Sequence, residues 1–249
     1  LGISCDPSPR LREFFNGLIV DLLVSKGVRA PALHLAAFQG DLPRVRSLCA
    51  GGIDIDSRDD ILNWTPLSWA VSGGQRDTAK FLILKGADVN ATATDDYTPL
   101  RQAAYVGSKE SVELLLAHGA AASIGRPLHG AAKRGHVPVV EILIAQGADV
   151  DARDERGRTP LICSCGSRQK KVSEVLIGRG ADTNAKDDAG RTALHSACAT
   201  GLRDVVELLI SKGADLNAKE KAGRTPLVYA QDNGYAEIAD LLRKHGAKE

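Results

Sequence analysis

A leucine recurs along this chain at an almost fixed interval. Leu33, Leu67, Leu100, Leu128, Leu161, Leu194 and Leu227 are separated, by subtraction, by 34, 33, 28, 33, 33 and 33 residues. Around them stand Thr65-Pro66-Leu67, Thr98-Pro99-Leu100, Arg126-Pro127-Leu128-His129, Thr159-Pro160-Leu161, Thr192-Ala193-Leu194-His195 and Thr225-Pro226-Leu227. A period of this size means that one supersecondary unit is copied many times, and that each copy buries its apolar face only against its neighbours.

The copy from Asp187 to Lys219 shows the unit most plainly. Thr192 is suited to cap a helix beginning near Ala193, because its hydroxyl can accept a bond from a free amide of the first turn. Gly201 supplies the positive φ that a reversal between antiparallel helices requires, and Gly213 does so after a second helix. In that second helix Val205, Leu208 and Leu209 follow i, i+3, i+4 spacing, with Val206 and Ile210 widening the stripe. Both helices are shorter than the roughly 12 to 15 residues at which an isolated helix becomes marginal in water. The unit therefore reads as helix, turn, helix, loop, stable only in a stack.

The copies close on Lys85-Gly86-Ala87-Asp88-Val89-Asn90, His118-Gly119-Ala120, Gln146-Gly147-Ala148-Asp149-Val150-Asp151 and Arg179-Gly180-Ala181-Asp182-Thr183-Asn184. With the Thr-Pro-Leu runs, these residues make the sequence resemble the ankyrin repeat family over residues 30–248. The resemblance implies an all-α fold class: an ankyrin-repeat solenoid of stacked helix-turn-helix units with projecting β-hairpin loops on the concave side. It implies one domain, residues 1–249, with seven recognisable repeats. Residues 1–27 are read as a degenerate N-terminal cap, because Ile19 to Gly27 matches Val205 to Gly213 position for position. Repeats one to six fill residues 28–219 and a C-terminal capping repeat fills residues 220–249. Two rows of small or apolar positions turn polar only in the last copy, at Gln231 and Arg243, which is how a solenoid ends against water. The array is expected to be complete there.

Two places depart from the family pattern. Between Leu100 and Leu128 the interval falls from 33 to 28, which predicts a shortened hairpin at Gly119 to Gly125. Arg168 stands where Gly201 stands in the plainest copy, so a local distortion or a basic knob is expected at Arg168-Gln169-Lys170-Lys171.

Composition narrows the chemistry. The formal charge is +1, with 32 basic and 31 acidic residues, so no global field gathers nucleic acid or an anionic membrane. No apolar run approaches the roughly 18 residues of a membrane span, and residues 1–10 lack the pattern of a signal peptide. The chain starts at Leu1 and holds no methionine, so it reads as a piece of a longer protein. Five cysteines without framework spacing indicate buried thiols in a reducing compartment, here the cytoplasm, with a secreted effector as the alternative. No phosphate loop, dinucleotide fingerprint, nucleophile elbow or zinc-helix motif is present, and no cofactor is expected. Cys163 and Cys165 point away from each other on a helix, and Asp54 to Asp60 lacks the glycine and glutamate of a calcium loop, so it reads as solvated. His34, His129 and His195 follow the marker leucine. The resemblance implies that they bridge backbone groups of neighbouring loops.

What differs between copies is the surface. The position before the capping threonine runs Trp64, Tyr97, then Gly125, then Arg158, Arg191 and Arg224. Phe38, Tyr105, Lys133 and Arg134 stand near first-helix ends, and Ile61 and Leu62 at a hairpin tip. The aromatics of this set form the expected partner-binding patch, with a basic continuation, although the arginines have acids beside them that can hold them structurally. The leading reading is a monomeric, non-enzymatic scaffold that binds a protein through its concave face. One alternative is a targeting or autoregulatory module of a larger enzyme or effector. Another is a nucleic-acid or anionic-ligand site on Arg158, Arg191 and Arg224.

Overall fold

The computed structural model describes residues 31–60 and 62–248, and the expected N-terminal cap lies outside the described residues. The chain separates into two compact units, Leu1–Pro99 and Leu100–Glu249. The first contains α1 (Ala32–Gln39), α2 (Leu42–Ala50), α3 (Pro66–Ser72) and α4 (Arg76–Leu84), with a 3-10 turn at Thr94–Asp96. In the second, α5 (Pro99–Val106) starts at the boundary and is followed by α6 (Lys109–Ala117), α7 (Pro127–Arg134), α8 (Val137–Ala145) and α9 (Pro160–Gly166). Then come α10 (Lys170–Gly178), α11 (Ala193–Thr200), α12 (Arg203–Ser211), α13 (Pro226–Asp232) and α14 (Ala236–Lys244). These are the helices that the periodicity predicts, and the all-α fold class holds.

Within each unit the helices lie in two layers. In the first unit α1 packs on α3, and each pairs with its own second helix, α2 or α4. In the second unit α7, α9, α11 and α13 stack in one layer, and α6, α8, α10, α12 and α14 in the other. Small residues let the first-helix layer pack closely: Ala36, Ala37, Ala131, Ala132, Cys165, Ala197 and Cys198 have essentially no exposed surface. The second helices contribute the larger groups, among them Val45, Leu82, Leu115, Leu143, Leu176, Leu209 and Leu242. All seven marker leucines are buried. At the far end of the last repeat Gln231 and Arg243 are exposed, as their polarity predicts.

Proline or threonine starts the first helices. The hydroxyls of Thr65 and Thr159 accept bonds from the amides of Ser68 and Ile162, both at 3.3 Å. At Thr192 the arrangement is reciprocal: its own N–H donates to His195 Nδ1 at 3.1 Å, forming a capping box. The second helices end on Gly86, Gly119, Gly147, Gly180 and Gly213 with positive φ, and the turn between the two helices of each repeat uses Gly40, Gly74, Gly107, Gly135, Gly201 and Gly234 in the same way. Arg168 occupies this turn position with φ 61° and no glycine.

The loops between repeats differ from the expected β-hairpins. Among the described residues no strand forms. One backbone bond joins the two arms of a projecting loop, as from Asp59 to Trp64 (3.0 Å), Ala93 to Tyr97 (2.7 Å), Asp154 to Arg158 (3.0 Å) and Asp187 to Arg191 (2.9 Å), and a turn bond such as Gly157 N–H to Asp154 O (2.9 Å) lies inside it. The arms are too short to support a second rung. Loops of adjacent repeats are joined instead by Asp188 N–H to Arg156 O and Lys221 N–H to Ala189 O, both at 2.9 Å. The loop before Leu128 is reduced to a single turn ending in Gly125 (φ 71°) and Arg126 (φ 54°).

Two outcomes follow from this local chemistry. An arginine in the left-handed region is strained by about 1–2 kcal/mol relative to a permitted conformation, whereas glycine is not. Arg168→Gly is therefore expected to raise unfolding free energy by about 1 kcal/mol in urea titration; a loss of stability would contradict the strain reading. His34, His129 and His195 have their pKa lowered, chiefly by burial, with carbonyl bonds opposing the shift. The unfolded chain then binds protons that the folded chain refuses, so their contribution is complete above the ordinary value of 6.5 and declines as pH falls below it. Urea midpoints are expected to drop between about pH 7.5 and about pH 5.5, before carboxylates protonate. A flat profile over that interval would contradict the burial of neutral histidines.

Candidate functional site

The surface positions rest on a buried polar frame under each projecting loop. In the first unit Asp59 is 3% exposed and its carboxylate accepts from Leu62 N–H (2.7 Å), Trp64 N–H (2.9 Å) and the indole N–H of Trp69 (2.9 Å). His34 sits beside it. Nε2 of His34 lies 3.0 Å from both Ser57 O and Trp64 O. A carbonyl cannot donate, so Nε2 carries the proton, and the burial that lowers the His34 pKa favours the neutral ring. The segment read as a solvated loop thus holds a buried acid: three donors converge on Asp59 and compensate its desolvation.

The second unit builds the same frame with different residues. Asp154, Asp187 and Glu220 sit four residues before Arg158, Arg191 and Arg224, and their side chains are 8%, 1% and 6% exposed. Arg158 Nε donates to Asp154 at 2.8 Å, Arg191 Nε to Asp187 at 2.9 Å and Arg224 Nε to Glu220 at 3.1 Å. Backbone amides reinforce each acid, as with Arg158 N–H to Asp154 (2.9 Å) and Arg191 N–H to Asp187 (2.8 Å). Burial alone raises the Asp154 pKa, and the bonds from Arg158 and Arg156 outweigh it, leaving the carboxyl below its usual range. The Ala222 amide, with Arg224, does the same for Glu220.

Histidines tie these loops back to the helices. His129 Nε2 donates to Arg158 O at 2.9 Å and His195 Nε2 to Arg224 O at 3.2 Å, which is the bridging role that the resemblance implies. Only His195 also has its Nδ1 satisfied, because Thr192 precedes it; Pro31 and Arg126 occupy the corresponding position before His34 and His129 and offer no hydroxyl. Arg153 extends the frame between repeats, donating to Gly157 O (3.0 Å) and Lys186 O (2.6 Å), and Arg58 does the same to Asn63 O (3.0 Å) and Thr92 O (2.7 Å).

The candidate contacts are placed unevenly on this frame. Trp64 and Tyr97 are only 2% and 6% exposed, stacked on each other with centroids 5.4 Å apart and an interplanar angle of 12°. They fill space between adjacent loops and offer a partner little surface, which corrects the expectation of an open aromatic patch around them. Phe38 is half-buried, edge-on to the buried Trp69 at 6.0 Å. Leu62 is half-buried at its loop tip, and Ile61 lies outside the described residues. Tyr105 is half-buried beneath the Arg134 guanidinium, 5.0 Å from the ring centroid, while Lys133 is half-buried and Arg134 exposed. Arg158, Arg191 and Arg224 are already engaged by acids, and Arg224 also lies over Tyr229 at 4.6 Å.

The groups with chemical potential elsewhere are similarly committed. Burial pushes the Cys165 thiol up to about 11, and burial followed by the neighbouring Cys165 pushes Cys198 up as well, so neither is a ready thiolate. Among the described residues no group of His, Cys, Asp or Glu is arranged to hold a metal ion, and no helix is long and apolar enough to cross a membrane. The acid anchors were the part least visible in the sequence. The recurrent four-residue spacing Asp154 to Arg158, Asp187 to Arg191 and Glu220 to Arg224 is the signal that marks them.

Known proteins share the repeat architecture. A family model described as "Ankyrin repeats (3 copies)" matches residues 15–93, 33–126, 100–187 and 174–249. The chain is 34% identical over 146 residues to the "Transient receptor potential cation channel subfamily A member 1 homolog" of Caenorhabditis elegans, a match covering 57% of this chain and 12% of that protein. It is 37% identical over 101 residues to the "Cyclin-dependent kinase 4 inhibitor B" of Rattus norvegicus, covering 38% of this chain and 77% of the relative. The matches span 12% of the channel homolog, 20% of the "Putative palmitoyltransferase ZDHHC13" of Danio rerio and 15% of the "Ankyrin repeat protein nuc-2" of Neurospora crassa. Among solved structures, the human ASB11 ankyrin repeat domain superposes with a TM-score of 0.78 at 31% identity, covering 89% of this chain and 100% of that one. The ankyrin repeat domain of Bcl-3 gives 0.71 at 31% identity, covering 86% and 98%. The chain belongs to the ankyrin-repeat family.

Proposed function

We propose that this chain is a non-enzymatic scaffold that binds a protein partner through exposed first-helix ends and loop tips. Ankyrin repeats are a generic protein–protein interaction fold, and the observation that supports this use here is the division of labour among side chains. The histidines His34, His129 and His195 and the acids Asp59, Asp154, Asp187 and Glu220 are buried or largely buried, and each is bonded to a loop. They stiffen the frame, and among the described residues they leave no convergent acid, base or nucleophile. Exposed positions vary from repeat to repeat: Glu155, Asp188 and Lys221 at equivalent positions of three loop tips, and Arg134, Arg168 and Asn233 at the helix reversals. A surface held rigid before binding loses little conformational entropy on association.

A second reading is favoured by length. The chain spans no more than 20% of the channel homolog, the putative palmitoyltransferase and the Neurospora repeat protein that it matches. In that reading it is the targeting or regulatory module of a longer protein, and the interaction surface is the same. The anionic-ligand alternative on Arg158, Arg191 and Arg224 loses its attraction, because each guanidinium has a carboxylate within 3.1 Å.

The test is affinity capture from source-cell lysate with three chains side by side. The wild type is expected to retain a protein partner stoichiometrically, and Tyr105→Ala with Lys133→Glu is expected to lose it with an unchanged melting curve. Trp64→Ala with Tyr97→Ala is expected to lower unfolding free energy by at least about 3–5 kcal/mol, because it removes a buried stacked pair. Retention of the partner by the first variant and a full-strength melt for the second would contradict the placement of the surface. Failure of the wild type to hold any protein would contradict the interaction reading itself.

A further inference from the structure

Arg168 carries an inference that the scaffold reading does not require. Six other helix reversals place glycine at this position with φ between 69° and 85°, and Arg168 alone adopts φ 61° with a side chain. Strain of about 1–2 kcal/mol is retained where glycine would remove it.

Basic residues cluster around it in sequence. Lys133 and Arg134 end α7, Arg168 precedes α10, and Lys170 and Lys171 begin it. Residues 126–140 and 156–173, which contain both reversals, include no aspartate or glutamate. Lys170 is paired with Asp204 of the next repeat and lies 3.9 Å from Glu174. Among the described residues no carboxylate stands within ion-pair distance of Arg134, Arg168 or Lys171.

Contacts between reversals put these groups on one edge of the second unit. His136 Nε2 donates to Tyr105 O at 3.1 Å, and Gln169 packs so closely on Gly135 that a Cβ there would lie 2.2 Å from its side-chain oxygen. Farther along, Arg168 reaches across to donate to the Tyr235 hydroxyl at 3.1 Å. With Arg134 over Tyr105, the edge reads Tyr105, Arg134, Arg168, Tyr235, its two guanidinium groups held in place by aromatic partners. The two side chains leave neighbouring reversals in opposite directions, Arg134 towards the preceding repeat and Arg168 towards the following ones, so their guanidinium groups stand farther apart than the roughly 8–10 Å between stacked helices.

We propose that this edge binds an acidic segment of a partner protein, Asp- or Glu-rich and extended, whose carboxylates meet Arg134 and Arg168. The proposal rests on the interaction reading above and names the partner chemistry at one part of that surface. Two features favour a short acidic segment over nucleic acid. The exposed basic positions cover two repeats, and carboxylates recur on the second helices of these and the flanking repeats, at Glu113, Glu141, Glu174 and Glu207. A duplex presents a charge every ~1.7 Å along its axis and would meet those acids, whereas a peptide with a few carboxylates, spaced to Arg134 and Arg168, sets none against them. Guanidinium groups that are already oriented give up less freedom on pairing with a carboxylate, and the local field speeds encounter.

The experiment is fluorescence anisotropy of the full chain with a fluorescein-labelled oligoglutamate peptide at low salt, with an oligothymidylate of equal charge as the second probe. The wild type is expected to bind the peptide more tightly than the oligothymidylate. Arg134→Gln with Arg168→Gly is expected to weaken peptide binding by about tenfold or more. Lys186→Gln with Lys219→Gln, the same charge change on the loop side, is expected to change it by less than about twofold. No peptide binding by the wild type, equal losses in both variants, or tighter binding of oligothymidylate would each overturn the proposal. A lysate partner retained by the Arg134, Arg168 variant would overturn the acidic-edge assignment while leaving the scaffold reading intact. Thermal melts of both variants verify that the losses are not unfolding.

Discussion

The bond on which the rest depends joins a histidine at the start of one repeat to a loop carbonyl leading into the next. His34, His129 and His195 each make it, at 2.9 to 3.2 Å. It is a neutral bond in a nearly dry setting, where an unmet carbonyl would be costly, so it fixes both the tautomer and the loop. Helices of seven to nine residues, as found here, have no stability of their own to spare for holding loops. The polar frame beneath the loops supplies that order.

The second component of the frame is an acid, and its partner changes along the chain while its task does not. Asp59 is held by the indole of Trp69 and two amides; Asp154, Asp187 and Glu220 are held by an arginine four residues on and by amides. The residue that replaces arginine at the first loop is Trp64, which stacks on Tyr97. Aromatic stacking and ion pairing are thus two solutions to closing the same loop. This explains why residues that differ conspicuously between repeats can still be scaffold.

That distinction also marks how far the sequence could be read. Helix positions, caps and the stacking order follow from local rules: threonine or proline before the marker leucine, glycine at the reversals, i, i+3, i+4 apolar spacing. These hold because each is decided within a few residues. Burial of Trp64 and Tyr97 is decided by the adjacent loop some thirty residues away, and nothing within either loop reports it; Asp59 is buried by Leu62, Trp64 and Trp69, which converge on it only once the loop has folded. Variation between repeats was a sound guide to Arg134, which is exposed, and a misleading one at Trp64, where the variable residue is a packing element. The strain at Arg168 was visible as a departure from glycine, but its reach to Tyr235 crosses two repeats and appears only in the folded chain.

The central claim is that the projecting loops are ordered by buried polar bonds in the free protein. Native-state amide hydrogen exchange tests it most directly, at Trp64, Arg158 and Arg191, whose N–H groups donate to Asp59, Asp154 and Asp187. The account predicts protection of these amides comparable to that of the neighbouring first helices, lost only with unfolding of the repeat. Exchange at the rate of an unstructured peptide, with the helices still protected, would contradict it.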